Sequence, residues 1–223
     1  MNAQPHHTSV GRVIIIVLII IAGSIVTAIL LVGKPISVEE DNSPFHCMQD
    51  PIQIDDITEP GITYQSGNLS LIYFPQASYE ITAKVMSKKR YHDGWGAKIA
   101  PYDLALAWGK ITKPDMKPFI KYSQMRRFYF YKCTWDCPLT QDYISQHSAN
   151  THLIPANENL MKVIRKIKKG NVITLWGYLV NVEGTYKNGD VNWRTSTSRE
   201  DTGNGACEVI YIEKIRIKDK IYR

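Results

Sequence analysis

The sequence predicts an α+β protein: an N-terminal transmembrane helix followed by a mainly antiparallel β domain with two short helices, a small barrel being one way to close its strands. Three observations predict it. Residues Val13 to Val32, VIIIVLIIIAGSIVTAILLV, hold twenty positions without a charge. A bilayer core asks for that length at the helical rise, because a helix satisfies its own backbone where water is absent. Downstream, apolar and polar residues alternate with period two, as in strands with one buried face. One stretch, Glu158 to Lys169, instead spaces its apolar residues for a helix.

The anchor is the first element. A cleaved secretory signal has a shorter apolar region and ends in a small-residue site, whereas Leu30 to Pro35 reads LeuLeuValGlyLysPro. Ser24 and Thr27 do not interrupt the span, since their hydroxyls bond back to helix carbonyls. Arg12 before the span and Lys34 after it nearly balance, and the N-terminal amine tips the positive-inside rule. The expectation is a cytoplasmic leader over residues 1–12, an uncleaved single-pass anchor over 13–32, and residues 33–223 outside.

Charge then divides the remaining chain. Residues 34–60 carry seven acids against Lys34, a net −6, and four prolines. That composition predicts an extended acidic linker over 33–60, with Cys47 able to pin it to the domain. Residues 61–223 carry 25 Lys and Arg against 14 Asp and Glu, a net +11. A basic domain tethered to a bilayer is drawn to anionic lipid, an acidic glycan or a membrane-protein partner.

Within residues 61–223, Leu69 to Phe74 reads as a short strand, and Ser78 to Ser87 as a second, with Tyr79, Ile81, Ala83 and Val85 on one face. Pro101 and Gly109 bracket YDLALAWG (102–109), which reads as a short helix. Phe119 to Lys132 is strand-like and ends in an Arg-Arg-aromatic run. Cys133 to Pro155 reads as a loop containing SANTHLIPAN. Leu160, Val163, Ile164 and Ile167 mark the second helix, 158–169. Val172 to Val182 is apolar on both faces, Asn188-Gly189 signals a hairpin, and a Gly-rich loop, Arg199 to Ala206, leads to a last strand from Cys207.

Three segments, YDLALAWG, SANTHLIPAN and DTGNGACEVIYI (201–212), together with the anchor resemble a family of bacterial single-pass membrane-anchored proteins with no known activity. The resemblance spans most of residues 79–217. It implies a bacterial inner-membrane location and carries no catalytic residue or cofactor.

Three chemistries have candidate residues. Cys133-x3-Cys137-x9-His147-x4-His152 falls within loose zinc spacing, although oxidation of Cys133 and Cys137 competes in an extracytoplasmic compartment. Cys207 and His152 are the candidate nucleophile and base, a pair that must meet in space to act. Arg126, Arg127 and the aromatics to Tyr131, with Lys162, Arg165, Lys166, Lys168 and Lys169, offer charge and stacking for a polyanion; a membrane tether disfavours nucleic acid. Trp95, Trp108, Trp176 and Trp193 read as core. No paired-carboxylate, phosphate-loop or Gly-x-Ser-x-Gly pattern occurs. The expected function is binding at the cell envelope, with an envelope enzyme using Cys207 and His152, or a zinc-binding domain, as the alternatives.

Overall fold

The computed structural model describes residues 11, 13–21, 34–44, 46–200 and 205–223. It divides into two compact units, Met1–Pro35 and Ile36–Arg223. In the first, residues 13–21 are helical and their large aliphatic side chains are exposed. Residues 22–32, the rest of the expected anchor, lie outside the described residues, as does the leader apart from Gly11. Among the described residues, no helix is long and apolar enough to cross a membrane.

The second unit is mainly β-sheet. Its strands are β1 (Glu39–Glu40), β2 (Ile52–Ile54), β3 (Ile62–Ser66), β4 (Leu69–Arg90), β5 (Tyr102–Ala107), β6 (Ile120–Met125), β7 (Phe128–Cys133), β8 (Ser148–Pro155), β9 (Val172–Tyr186), β10 (Gly189–Trp193), β11 (Glu208–Ile217) and β12 (Lys220–Tyr222). Five of them form a closed ring. β4 pairs antiparallel with β5, and β5 with β8. β8 pairs parallel with β11. β11 pairs antiparallel with β9, and β9 returns antiparallel to β4. Taken in chain order the ring reads first, second, third, fifth, fourth, with the Glu158–Lys166 helix between the third and fourth strands. This is the connectivity of an OB-type barrel, and closure leaves the ring without an unpaired edge.

Period two decides which side chains fill the barrel. Tyr79, Ile81, Ala83 and Val85 of β4 point inward with Leu104 and Leu106 of β5 and Ile210 and Ile212 of β11. The helix lays Leu160, Val163 and Ile164 across one end of this core. Each fully buried aliphatic contributes roughly 1.5–3 kcal/mol. The Asn157 side chain accepts the amide of Leu160 at the helix N-terminus. The Lys88 ammonium donates to the carbonyls of Ile164, Arg165 and Ile167 at the other end, where a cation complements the helix dipole. Gly177 lets β9 and β11 approach: a Cβ there would stand 1.9 Å from the Tyr211 carbonyl oxygen.

Several expectations change. YDLALA is the strand β5, not a helix: every residue from Tyr102 to Ala107 is buried, so no wet face exists for an amphipathic helix. SANTHLIP is the strand β8, not a loop, and is nearly all buried. The helix Gln141–Gln146 precedes it, and Thr140 caps that helix by accepting the Tyr143 amide. The two strands expected over 69–87 are one, β4, with a register shift between Pro75 and Ala77 where β9 pairs. The hairpin turn is Lys187-Asn188, both at positive φ, and Gly189 already pairs with Tyr186. The helix expected over 158–169 starts at Glu158 but ends at Lys166, with Ile167 already out of helical backbone.

The acidic stretch is extended, but from Ile36 onward it lies on the domain and belongs to its compact unit. β1 pairs β12 and β2 pairs β4. Arg216 donates to Asp41 at 2.6 Å and to Ser43. Cys47 is held by its carbonyl, which accepts the Gly109 amide, and Asp50 accepts Trp108 Nε1 at 2.9 Å. Acids meeting a domain of net +11 explain why a segment poor in aliphatics still docks.

Candidate ligand-binding face of the barrel

Alternation gives β5 and β8 an outer face as well as a core face. Asp103, Ala105 and Ala107 of β5 stand beside Ser148, Asn150 and His152 of β8, in the register Asp103 to His152 and Ala105 to Asn150. In OB-type barrels this face, with the loops at its edges, is where oligonucleotides and oligosaccharides are held. Here the β6–β7 hairpin folds over one part of it. Ala105 and Ala107 pack with Ile120, Tyr122 and Ile144.

The hairpin is fastened through its turn. Met125 pairs with Phe128, so Arg126 and Arg127 form a two-residue turn with φ of 51° and 69°. Such a turn favours Asn and Gly, and each non-glycine residue in the left-handed region costs on the order of 1 kcal/mol. Arg127 offsets this by its contacts. Its guanidinium donates to Asp103 Oδ1 at 2.8 Å and to the Ala100 carbonyl at 3.0 Å. It also lies 4.3 Å from the Tyr91 ring centroid and 5.0 Å from that of Trp193. Its amide donates to the Tyr91 hydroxyl, and its carbonyl accepts Asn150 Nδ2. Asp103 is fully buried; removing a carboxylate from water is tolerated when a cation and hydrogen bonds replace the solvent.

His152 belongs to the same cluster. It is 2% exposed, its Nδ1 lies 2.9 Å from Asp103 Oδ1, and its ring sits 4.5 Å from that of Trp193. Cys207 Sγ approaches Asn150 Nδ2 at 3.6 Å and the Arg127 carbonyl at 3.8 Å. Cys207 reaches this cluster through Asn150 and the Arg127 carbonyl, and His152 reaches it through Asp103, which Arg127 also holds.

Beside this cluster opens a cavity of about 370 Å³. Phe128, Phe130 and Tyr131 of β7 wall one side, and Arg199, Cys207 and Glu208 the other. Arg199 donates to Glu208 at 2.8 Å and to the Tyr79 hydroxyl at 2.5 Å, which places a paired guanidinium at the mouth of the barrel core. Tyr129 donates to the Ser148 carbonyl; burial pushes its hydroxyl up to about 12, with Ser148 partly opposing. The site offers aromatic walls and a fixed polar base, the usual makeup of a small-ligand pocket.

The zinc candidates are distributed. Cys133 and Cys137 pack beside Tyr131, Leu139 and Tyr143; burial, then the neighbouring Cys137 thiol, pushes Cys133 above the ordinary thiol value. His147 stacks on Tyr143 at 3.8 Å with Asp50 3.6 Å away, and His152 lies against Asp103 and Trp193. Among the described residues, no group of three or more His, Cys, Asp or Glu side chains could hold a metal ion. Of the aromatic-basic run, Tyr129 and Tyr131 face the hairpin core while Phe130 is exposed. Trp108 is core at 1% exposure, whereas Trp135 is 98% exposed.

Sequence reasoning missed Asp103, Asn150, Arg199 and Glu208. A signal was present: Ser148, Asn150 and His152 alternate with Ala149, Thr151 and Leu153. No family model, curated protein or solved structure matches this chain.

Proposed function

We propose that this protein is a membrane-anchored binding module of the cell envelope, its OB-type barrel holding a small ligand or ligand end group between β7 and the residues Ser198, Arg199, Ala206, Cys207 and Glu208. The observation that carries the reading is the 370 Å³ cavity beside the start of β8, walled by aromatics of β7 over the Arg199–Glu208 pair. The barrel connectivity supports it by analogy of fold. The charge-free stretch 13–32 supports the anchor. The test is a fragment screen of oligosaccharides and short oligonucleotides against the full chain in detergent, read by ligand-observed NMR. Hits should be lost on Ser145→Trp, which fills the cavity from its edge. Hits of equal strength in both proteins, or none in either, would end the proposal.

A second reading keeps Cys207 and His152 as nucleophile and base, supported by their places in one polar cluster, Cys207 against Asn150 and His152 against Asp103. Cys207→Ala and His152→Ala losing one activity equally, with folding intact, would favour it.

A further inference from the structure

A second concave surface, remote in character from the aromatic cavity, runs between β4, the 109–122 segment and the turn after the helix Glu158–Lys166. It encloses about 700 Å³. Five lysines line it: Lys84, Lys113, Lys117, Lys121 and Lys169. Among the described residues, none of the five has a carboxylate within ion-pair distance, and no Asp or Glu lines the groove. Lys84 donates to the Thr112 carbonyl at 3.2 Å, and the other four are exposed. The floor is aliphatic, made by Val85, Ile111, Met116 and Ile120, each 8% exposed or less.

Five like charges around one depression repel one another unless an anion sits among them. The apolar floor then selects which anion. A free phosphate would leave that floor wet. Nucleic acid asks for rings on which bases stack, yet the groove's one aromatic, Tyr122, is 8% exposed and already stacked on Tyr129 at 6.2 Å. A molecule with a phosphate at one end and a hydrocarbon chain at the other satisfies both halves. Lysine suits this arrangement, because its methylene stem covers apolar surface while its ammonium reaches the headgroup.

We propose that this groove binds the headgroup and upper acyl chain of an anionic phospholipid. The proposal goes beyond the aromatic-cavity reading and stands on different residues, so either can fail alone. The test titrates the full chain, held in a nonionic detergent, with short-chain phosphatidylglycerol and with the matching phosphatidylcholine. Two readouts are lysine acetylation footprinting by mass spectrometry and affinity by thermophoresis. The anionic lipid should protect the five lysines and bind at least about tenfold tighter than the choline lipid. Lys113→Glu, Lys117→Glu and Lys121→Glu together should weaken it by roughly a hundredfold. Reversal of Lys98, Lys187 and Lys220, with the same change in net charge, should leave it within about twofold.

Equal binding of the two lipids, or equal losses in the two triple variants, would overturn the proposal. So would glycerol phosphate binding as tightly as the lipid, since the floor would then contribute nothing. Displacement of the lipid by a lower concentration of single-stranded oligonucleotide would reassign the groove to nucleic acid. The footprint on the unaltered protein decides the matter even if a triple variant does not fold.

Discussion

The face of β5 and β8 and the lysine groove handle charge in opposite ways. On the face, Asp103 is wholly buried and meets Arg127 at 2.8 Å, with His152 alongside. In the groove, five cations surround an apolar floor and, among the described residues, no acid lines it. Charges paired inside a protein hold its parts together, and removing one partner strands the other. Charges left unpaired at a surface contribute little to folding and keep their field for something outside. The contrast teaches that net charge alone, +11 over residues 61–223, does not locate a binding surface.

The sharpest way to break this comparison is Arg127→Ala. It leaves Asp103 buried without its cation and should cost about 3–5 kcal/mol in chemical denaturation; a loss below about 1 kcal/mol would mean that Asp103 finds solvent without it. Arg126→Gly separates the turn from the fastening. Arg126 has a φ of 51° and is exposed, so glycine should raise stability by roughly 0.5–1 kcal/mol. A decrease would show that Arg126 makes a contact that outweighs its backbone strain. Charge reversal of Lys113, Lys117 and Lys121 should move stability by no more than about 0.5 kcal/mol, measured by the same denaturation; a large loss would make the groove structural.

The smallest effect concerns a third, intermediate pairing. The Ser43 hydroxyl and amide, and beyond them the Arg216 guanidinium, hold Asp41 below the usual carboxylate value of 3.8. A depressed folded-state pKa gives stability that is fully present above the ordinary value and is lost as pH falls through the folded one. The hydrogen-exchange protection of the Val38 and Asp41 amides, which donate to Ile221 and Asp219, taken relative to the intrinsic rate at each pH, should therefore fall selectively below about pH 4. Protection that stays constant down to about pH 2 would remove Asp41 from the account.

What the sequence made legible follows from which residues keep one wet face. β4 was readable over Tyr79 to Val85, because Glu80, Thr82 and Lys84 mark its outer side, and the helix Glu158–Lys166 was readable from its lysines and arginine. β5 and β8 were not, because tertiary contacts bury both of their faces and neither strand has a wet side. Read along the chain, Asp103 looks like a residue of a short helix, and Asn150 and His152 look like loop residues. They become a site only when the hairpin supplies Arg127 and β11 brings Glu208 and Cys207 alongside. Long-range pairing of that kind leaves little local trace. The lysine groove was hidden for the same reason: Lys84, Lys117 and Lys169 are far apart in sequence.

The docking of residues 36–41 has a mechanical consequence. Asn159 holds the Ile36 carbonyl and the Arg223 carbonyl with one amide group, at 2.9 and 2.7 Å, and β1 lies along β12. Tension arriving along the backbone at Ile36 would meet that amide clip and then the two-residue β1 ladder before any of the five ring strands felt it. The outermost clasp would give way first and act as a fuse for the barrel behind it.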